Sequence, residues 1–361
     1  MRSSSLRYAV AGVALACSLA GCSGSGSGAA AEAPAVTVGV AMPQGDSRWA
    51  SDADNMVKQL TALGYKTEVT NADKAPATQV TQIQAMIDHG DKALIVGSVD
   101  GGALKDVLAK AAAKKIPVIA YDRLITGTSD VDYYATFDNA KVGVLQGQAL
   151  LDGLNVAKAT RPLNIEVFAG DPKDNNAGFF FDGAMSVLKP YIASGKIKVV
   201  SGETEFAKVA TPNWDGKTAQ ARMEKLLAGP DAGVTLDGVL APNDGLARGI
   251  LAALGEKGYG AAGKPWPAIT GQDSELESVK LVASGEQTET IFKDTRELAK
   301  VAVQMTNAVL DGDTARVNDT KQYNNGVKVV PTFLLQPVSV TKANYQGVLV
   351  DSGYYKSSDL S

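Results

Sequence analysis

From residue 36 onward, short apolar runs alternate with amphipathic stretches, and this alternation begins a second time beyond Phe137. Strand-like runs at 36–41, 66–70, 93–96 and 116–120 are separated by helical periodicity over 47–63, 77–89 and 104–114. Runs such as ALIV and IPVIA show no apolar–polar alternation, as expected of strands buried on both faces. Strand and helix in strict turn, with short connections, restrict such a chain to a parallel sheet covered by helices on both sides. The second series places strands at 163–168, 197–200, 238–240, 268–270 and 289–292, with helices at 175–189, 218–227, 245–254, 276–284 and 295–310. The predicted class is α/β, with two doubly wound parallel-sheet lobes facing each other across a cleft. At 361 residues the chain is long enough to divide into two domains.

In open α/β sheets, ligands sit outside the carboxyl ends of the strands. Polar and aromatic residues collect at those ends here. The segment 116–139 stops a buried run at Asp122-Arg123, passes through a Gly, Ser, Thr and Asp loop, and re-enters a strand at Tyr133 that carries the chain between lobes. Other strand ends supply Arg48-Trp49, Asp174 to Asn176, Asn243-Asp244, Asp273 and Lys293, and Asn213-Trp214-Asp215 precedes a helix. Planar charged groups make paired hydrogen bonds to vicinal hydroxyls, and an aromatic face covers the C–H patches of a ring, so the pattern suits a pyranose. Each residue also has a purely architectural reading. Asn175, Asp215 and Asp244 read equally as helix caps, Trp49 and Trp214 as core, Trp266 as loop packing, and Asp122-Arg123 as a structural ion pair.

The amino terminus has a basic start at Arg2 and Arg7, an apolar run over 8–20 too short to span a bilayer, and Leu19-Ala20-Gly21-Cys22. This tetrapeptide resembles a bacterial lipobox. The resemblance implies a signal peptide at 1–22, acylation of Cys22, and a flexible Gly/Ser/Ala tether over 23–35. With Cys17 inside the leader and Cys22 acylated, no disulfide is expected. A net charge of −4 without a basic stripe argues against nucleic acid.

Enzymatic readings fare poorly. His89 is the only histidine, placed before Gly90 where it would cap helix carbonyls, so a Ser-His-Asp triad or a histidine-rich metal site is not expected. Asp122, Asp174 and Asp273 each have a basic neighbour in Arg123, Lys173 or Lys293, which disfavours a glycosidase general acid. The glycines at 258–263 mimic a nucleotide loop, but a helix precedes them and Pro265-Trp266-Pro267 follows. A sugar-responsive repressor would begin with a helix-turn-helix where this chain has a leader.

Longer stretches carry a family resemblance. They are TQIQAMIDHG from Thr81, IPVIAYDRLI from Ile116, YYATFDNAKVG from Tyr133, DNNA from Asp174, GAMSVLKPYIASGKIKV from Gly183, NWD from Asn213, PNDG from Pro242, GQD from Gly271 and IFKDTRELAK from Ile291. On these the chain is similar to the periplasmic pentose and hexose receptors of ABC transporters, type I periplasmic binding proteins of the xylose-binding and multiple-sugar-binding kinds. The resemblance implies two Rossmann-like lobes joined by a three-strand hinge, with lobe 1 spanning 36–134 plus 293–330 and lobe 2 spanning 135–292 plus 331–361. It implies that Trp49 and Trp214 sandwich a sugar ring while Arg48, Asp122, Arg123, Asp174, Asn176, Asn243, Asp273 and Lys293 hold its hydroxyls. It further implies a monomer without cofactor, metal or catalysis, bound to the membrane through its lipid alone. Such a receptor captures a monosaccharide of the xylose, glucose, galactose or arabinose type and passes it to an ABC transporter permease. The alternative readout is a chemoreceptor or sensor kinase that reads the closed form.

Overall fold

The computed structural model describes residues 36–45 and 47–360. The expected leader, tether and lipidation site at Cys22 lie outside the described residues. The first elements are β1 (Thr37–Met42), α1 (Ser47–Ala62), β2 (Lys66–Asn71), α2 (Pro76–His89), β3 (Ala93–Val96), α3 (Lys105–Ala113), β4 (Val118–Tyr121) and β5 (Tyr133–Phe137). There follow α4 (Asn139–Leu154), β6 (Leu163–Val167), α5 (Asn175–Ala193), β7 (Ile197–Val199), α6 (Phe206–Val209), α7 (Gly216–Ala228), β8 (Gly238–Leu240) and α8 (Asp244–Glu256). The chain ends with β9 (Ala268–Ile269), α9 (Leu276–Ser284), β10 (Glu289–Phe292), α10 (Thr295–Leu310), β11 (Thr332–Leu335) and β12 (Val338–Thr341).

Lobe 1 is a six-stranded parallel sheet in the order β11-β5-β4-β3-β1-β2. Its strands face two cores at once, which is why they read as unbroken apolar runs. Val38, Val40, Ile95 and Ile119 pack with Met56 and Leu60 of α1 and Leu298 and Ala302 of α10. Their chain neighbours Leu94, Val96, Val118 and Ala120 pack on the other face with Ile83 and Met86 of α2 and Leu108 of α3. Lobe 2 repeats the plan with a four-stranded parallel sheet, β7-β6-β8-β9, between α4 and α5 on one face and α7 and α8 on the other. This sheet departs from pure parallel order at its hinge side. Ile291 of β10 bridges Gln272 in parallel, whereas β10 and β12 pair antiparallel.

The chain passes between the sheets three times, after Phe137, after Phe292 and between Leu335 and Val338. Lobe 1 pairing runs through Phe137 and through Leu335, a few residues beyond the lobe boundaries expected after 134 and after 330. Helix α4 was not anticipated from the sequence. Gly143, Gly147 and Gly153 interrupt its apolar stripe, and the first two lie against the backbone of α5: a Cβ on Gly143 would stand 2.0 Å from the Phe180 carbonyl oxygen. His89 does not cap its helix, since its Nδ1 lies 2.9 Å from Glu68 on β2 while the Gly90 N–H donates to the Met86 carbonyl. Caps at the cleft edge sit one residue earlier than expected at two helices. Asp174 rather than Asn175 caps α5, and Asn243 rather than Asp244 caps α8; Asp215 caps α7 as expected.

Candidate functional site

The carboxyl ends of both sheets open onto one cavity of about 320 Å³. Arg48, Trp49, Asp122 and Arg123 line it from lobe 1. Asp174, Asn176, Trp214, Asn243 and Asp273 line it from lobe 2, and Lys293 lies just past β10. Every residue that the sequence singled out for hydroxyl or ring contacts is therefore on this cavity.

Asp122 follows the last residue of β4 with a φ of +60°, a left-handed backbone that side chains disfavour. Surrounding groups over-determine it. Its N–H donates to the Ala135 carbonyl at 2.8 Å, and its own carbonyl accepts from Tyr134 Oη, Thr136 Oγ1 and Asn176 Nδ2 at 2.6, 3.0 and 2.7 Å. The turn aims the carboxylate at Arg48, with Oδ2 2.7 Å from Nη2. Burial works to raise the Asp122 carboxyl, but Arg48, Lys293 and Arg123 outweigh it and hold it below the ordinary range. Asp273, at φ +93°, is the lobe 2 counterpart. Its Oδ1 lies 2.9 Å from Lys293 Nζ and 4.0 Å from Arg48 Nη1; burial is again outweighed, and the carboxyl is held low. The neighbouring Ser274 carbonyl accepts from Tyr355 Oη at 2.9 Å, so the carboxyl-terminal segment steadies this loop.

Asp174 takes the opposite course. Burial outweighs Arg123, whose Nε is 3.3 Å away, and the Asn176 N–H that it caps, and its carboxyl is raised. Trp214 Nε1 donates to the same carboxylate at 3.2 Å. The Trp214 ring lies edge-to-face on Phe180 and so close over Gly170 that a Cβ there would stand 2.0 Å from it. Trp49 lies edge-to-face on Tyr121 at 6.4 Å, with the guanidinium carbons of Arg48 and Arg123 at 4.5 and 5.2 Å from its ring. Two of the polar residues are already engaged by the protein. Asn176 Oδ1 accepts from Tyr134 Oη and Asn139 Nδ2 while its Nδ2 bonds the Asp122 carbonyl, so it ties lobe 2 to lobe 1; Asn243 Oδ1 accepts from the Leu246 N–H, leaving its Nδ2 for the cavity.

The cavity also takes in residues outside the expected set, among them Gln44, Lys74, Asp171, Asn213, Arg248 and Glu275. Asn213 falls in a segment already notable in the sequence, and Gln44 and Asp171 lie a few residues before two others, Arg48-Trp49 and Asp174 to Asn176. Lys74 and Arg248 carried no such signal: Lys74 precedes α2, and Arg248 reaches the cleft from inside α8, where it pairs with Glu275 and donates to Ser278 Oγ at 2.9 Å. Opposed basic and acidic groups, leftover donors and two indole rings have the chemistry that suits a small polyhydroxylated ring. The carboxyls of Asp122 and Asp273, both held low by their basic neighbours, are poor proton donors for bond cleavage.

A family model described as periplasmic binding protein domain matches residues 38–314. The multiple sugar-binding periplasmic receptor ChvE of Rhizobium radiobacter is 54% identical over 325 residues, covering 90% of this chain and 92% of that protein. The D-xylose-binding periplasmic protein of Escherichia coli strain K12 is 37% identical over 313 residues, covering 87% and 88%. Among solved structures, an ABC transporter solute-binding protein from Clostridium phytofermentans with bound β-D-glucose superposes with a TM-score of 0.85 at 47% identity, covering 90% of this chain and all of that one.

Proposed function

The chain belongs to the periplasmic binding protein family, and from that premise we propose how it captures its ligand. It is an extracytoplasmic sugar-binding receptor of the ABC-transporter type and not an enzyme. One pyranose monosaccharide of the xylose, glucose or galactose type enters the cleft between the lobes. Trp49 and Trp214 cover the ring faces, Arg48, Asp122 and Arg123 bind hydroxyls from lobe 1, and Asp174, Asn243, Asp273 and Lys293 bind them from lobe 2 and the hinge. Asn176 acts chiefly by holding Asp122 in its strained turn. The observation that carries this reading is the convergence of Arg48, Asp122, Asp273 and Lys293 from both lobes into one charge-paired wall of the cavity.

The lobes, divided at the passes after Phe137, Phe292 and Leu335, close on the sugar because it bridges groups that the open form keeps apart. A membrane permease then takes the sugar from the closed monomer, and acylated Cys22 keeps the receptor at the membrane. An affinity near micromolar, about −8 kcal/mol, suits capture followed by release. Calorimetry with a panel of pentoses and hexoses, run on protein beginning at Ser23, tests the reading. At least one monosaccharide is expected to bind with a single site per chain; silence across the panel rejects it. Replacing Cys22 by Ser is expected to move the receptor from the membrane fraction to the soluble one.

A further inference from the structure

Asp52 lies one helical turn beyond Arg48 on α1, on the same face, directly behind the cleft wall. It is fully buried, and neither carboxylate oxygen makes a hydrogen bond of good geometry among the described residues. Arg48 Nη1 and the Tyr121 hydroxyl are also buried without a bond of good geometry, and that hydroxyl interacts with the Asp52 carboxylate and helps offset the cost of its charge. The ionisable groups facing Asp52 are Arg48 from its own helix, Tyr121 and Asp122 from the end of β4, Lys293 from beyond β10, and Tyr354 from the carboxyl-terminal segment. A carboxylate so placed is costly when charged, and burial, opposed by Arg48, pushes Asp52 up to about 7.

The Arg48 guanidinium has one engaged edge, Nη2 on Asp122 at 2.7 Å, and one unengaged donor, Nη1, 4.0 Å from Asp273. An ionised Asp52 competes for that guanidinium from behind. We infer that Asp52 is a positioning residue for the ligand site: as a neutral acid it leaves Arg48 to the cleft, and when ionised it draws Arg48 back. This rests on the sugar-binding reading, because the donor at stake is the one offered to a ligand hydroxyl. Ligand binding then favours the neutral acid, so it takes up a proton, and affinity falls as pH rises through the range in which Asp52 ionises.

The test is calorimetric titration of the receptor with its best-bound monosaccharide between about pH 6 and about pH 8.5, in buffers of differing ionisation enthalpy. The wild-type Kd is expected to rise by about threefold or more across that range, with proton uptake on binding near pH 7.5. Asp52→Asn, which mimics the neutral acid, is expected to bind at high pH about as tightly as wild type does at low pH, with no proton uptake. Should Asp52→Asn not fold, as judged by its melting curve, Asp52→Ser takes its place with the same expectation of a flat profile. A pH-independent wild-type Kd, or proton uptake that persists in the Asp52 variant, overturns the assignment while leaving sugar binding intact. Absence of heat from every monosaccharide at every pH overturns the sugar-binding reading and this assignment together.

Discussion

Residues at the cleft are kept in conformations that their own chemistry disfavours. Asp122, Asn213, Trp214, Asp273 and Ser274 all have positive φ, and each lies in a turn that carries a cavity residue. Strain of this kind persists only where neighbours hold it, and the bonds from Tyr134, Thr136 and Asn176 to Asp122 do so. The consequence is a set of donors and acceptors oriented before the ligand arrives, which lowers the entropy cost of binding. Removal of one member should therefore cost affinity more than fold. Trp214→Ala and Asp273→Ala are each expected to weaken sugar binding by about tenfold or more, about 1.4 kcal/mol, with a cooperative melting transition retained. Trp214 is only partly buried at the edge of the lobe 2 core, and Asp273 stands in the cavity wall outside the apolar clusters, which is why the fold survives. Wild-type affinity in both variants would place the ligand elsewhere.

At the scale of elements, the cleft depends on how closely helices and hinge strands approach. Helices α4 and α5 meet through Gly143, Gly147 and Gly183, and α7 meets α8 through Gly216 and Gly249. A methyl group on Gly143 would press into the α5 backbone, which cannot turn aside as a side chain can. Gly143→Ala is expected to destabilise lobe 2 by about 1–3 kcal/mol in urea unfolding, despite alanine's better helix propensity; a stabilised variant would contradict this packing. Hinge strand β10 carries a second liability. Glu289, at its start, is fully buried beside Asp244, and burial pushes its carboxyl well above the usual value of 4.5. With the folded value raised, charging costs more in the folded protein than in the unfolded chain. Its stability is thus greatest below about 4.5 and falls as pH climbs toward the folded value. Glu289→Gln should match wild type near pH 4.5 and melt a few degrees higher near pH 8. A wild-type advantage at pH 8 would mean that the charge is compensated.

The architecture of the whole molecule was legible because parallel strands buried on both faces leave an unmistakable apolar signature, as at Ala93–Val96 and Val118–Tyr121. The cleft was legible for a related reason: a polar residue directly after such a strand has few other places to go. Less legible was whatever depended on tertiary approach. Helix α4 hid behind glycines that serve its packing, β11 and β12 are short strands recruited by the hinge, and Arg248 reaches the cavity from within a helix. Even so, the contacts that join the lobes at the cleft are largely polar, with Asn176 on the Asp122 carbonyl and on Tyr134, Arg123 on Asp174 and Arg48 near Asp273, beside an aromatic contact of Phe179 on Tyr323. Largely polar contacts of this kind leave room for lobe motion, and the bridging account expects closure to draw on ligand contacts made to both sides. Binding and closure are consequently separable. Saturating sugar is expected to shrink the radius of gyration of the wild-type receptor in small-angle scattering. Trp214→Ala, titrated to the same saturation, loses a lobe 2 face of the ring while keeping the lobe 1 contacts, and should bind with little contraction. Full contraction in that variant would show that closure is driven from one lobe alone, and the bridging account of this receptor would fail.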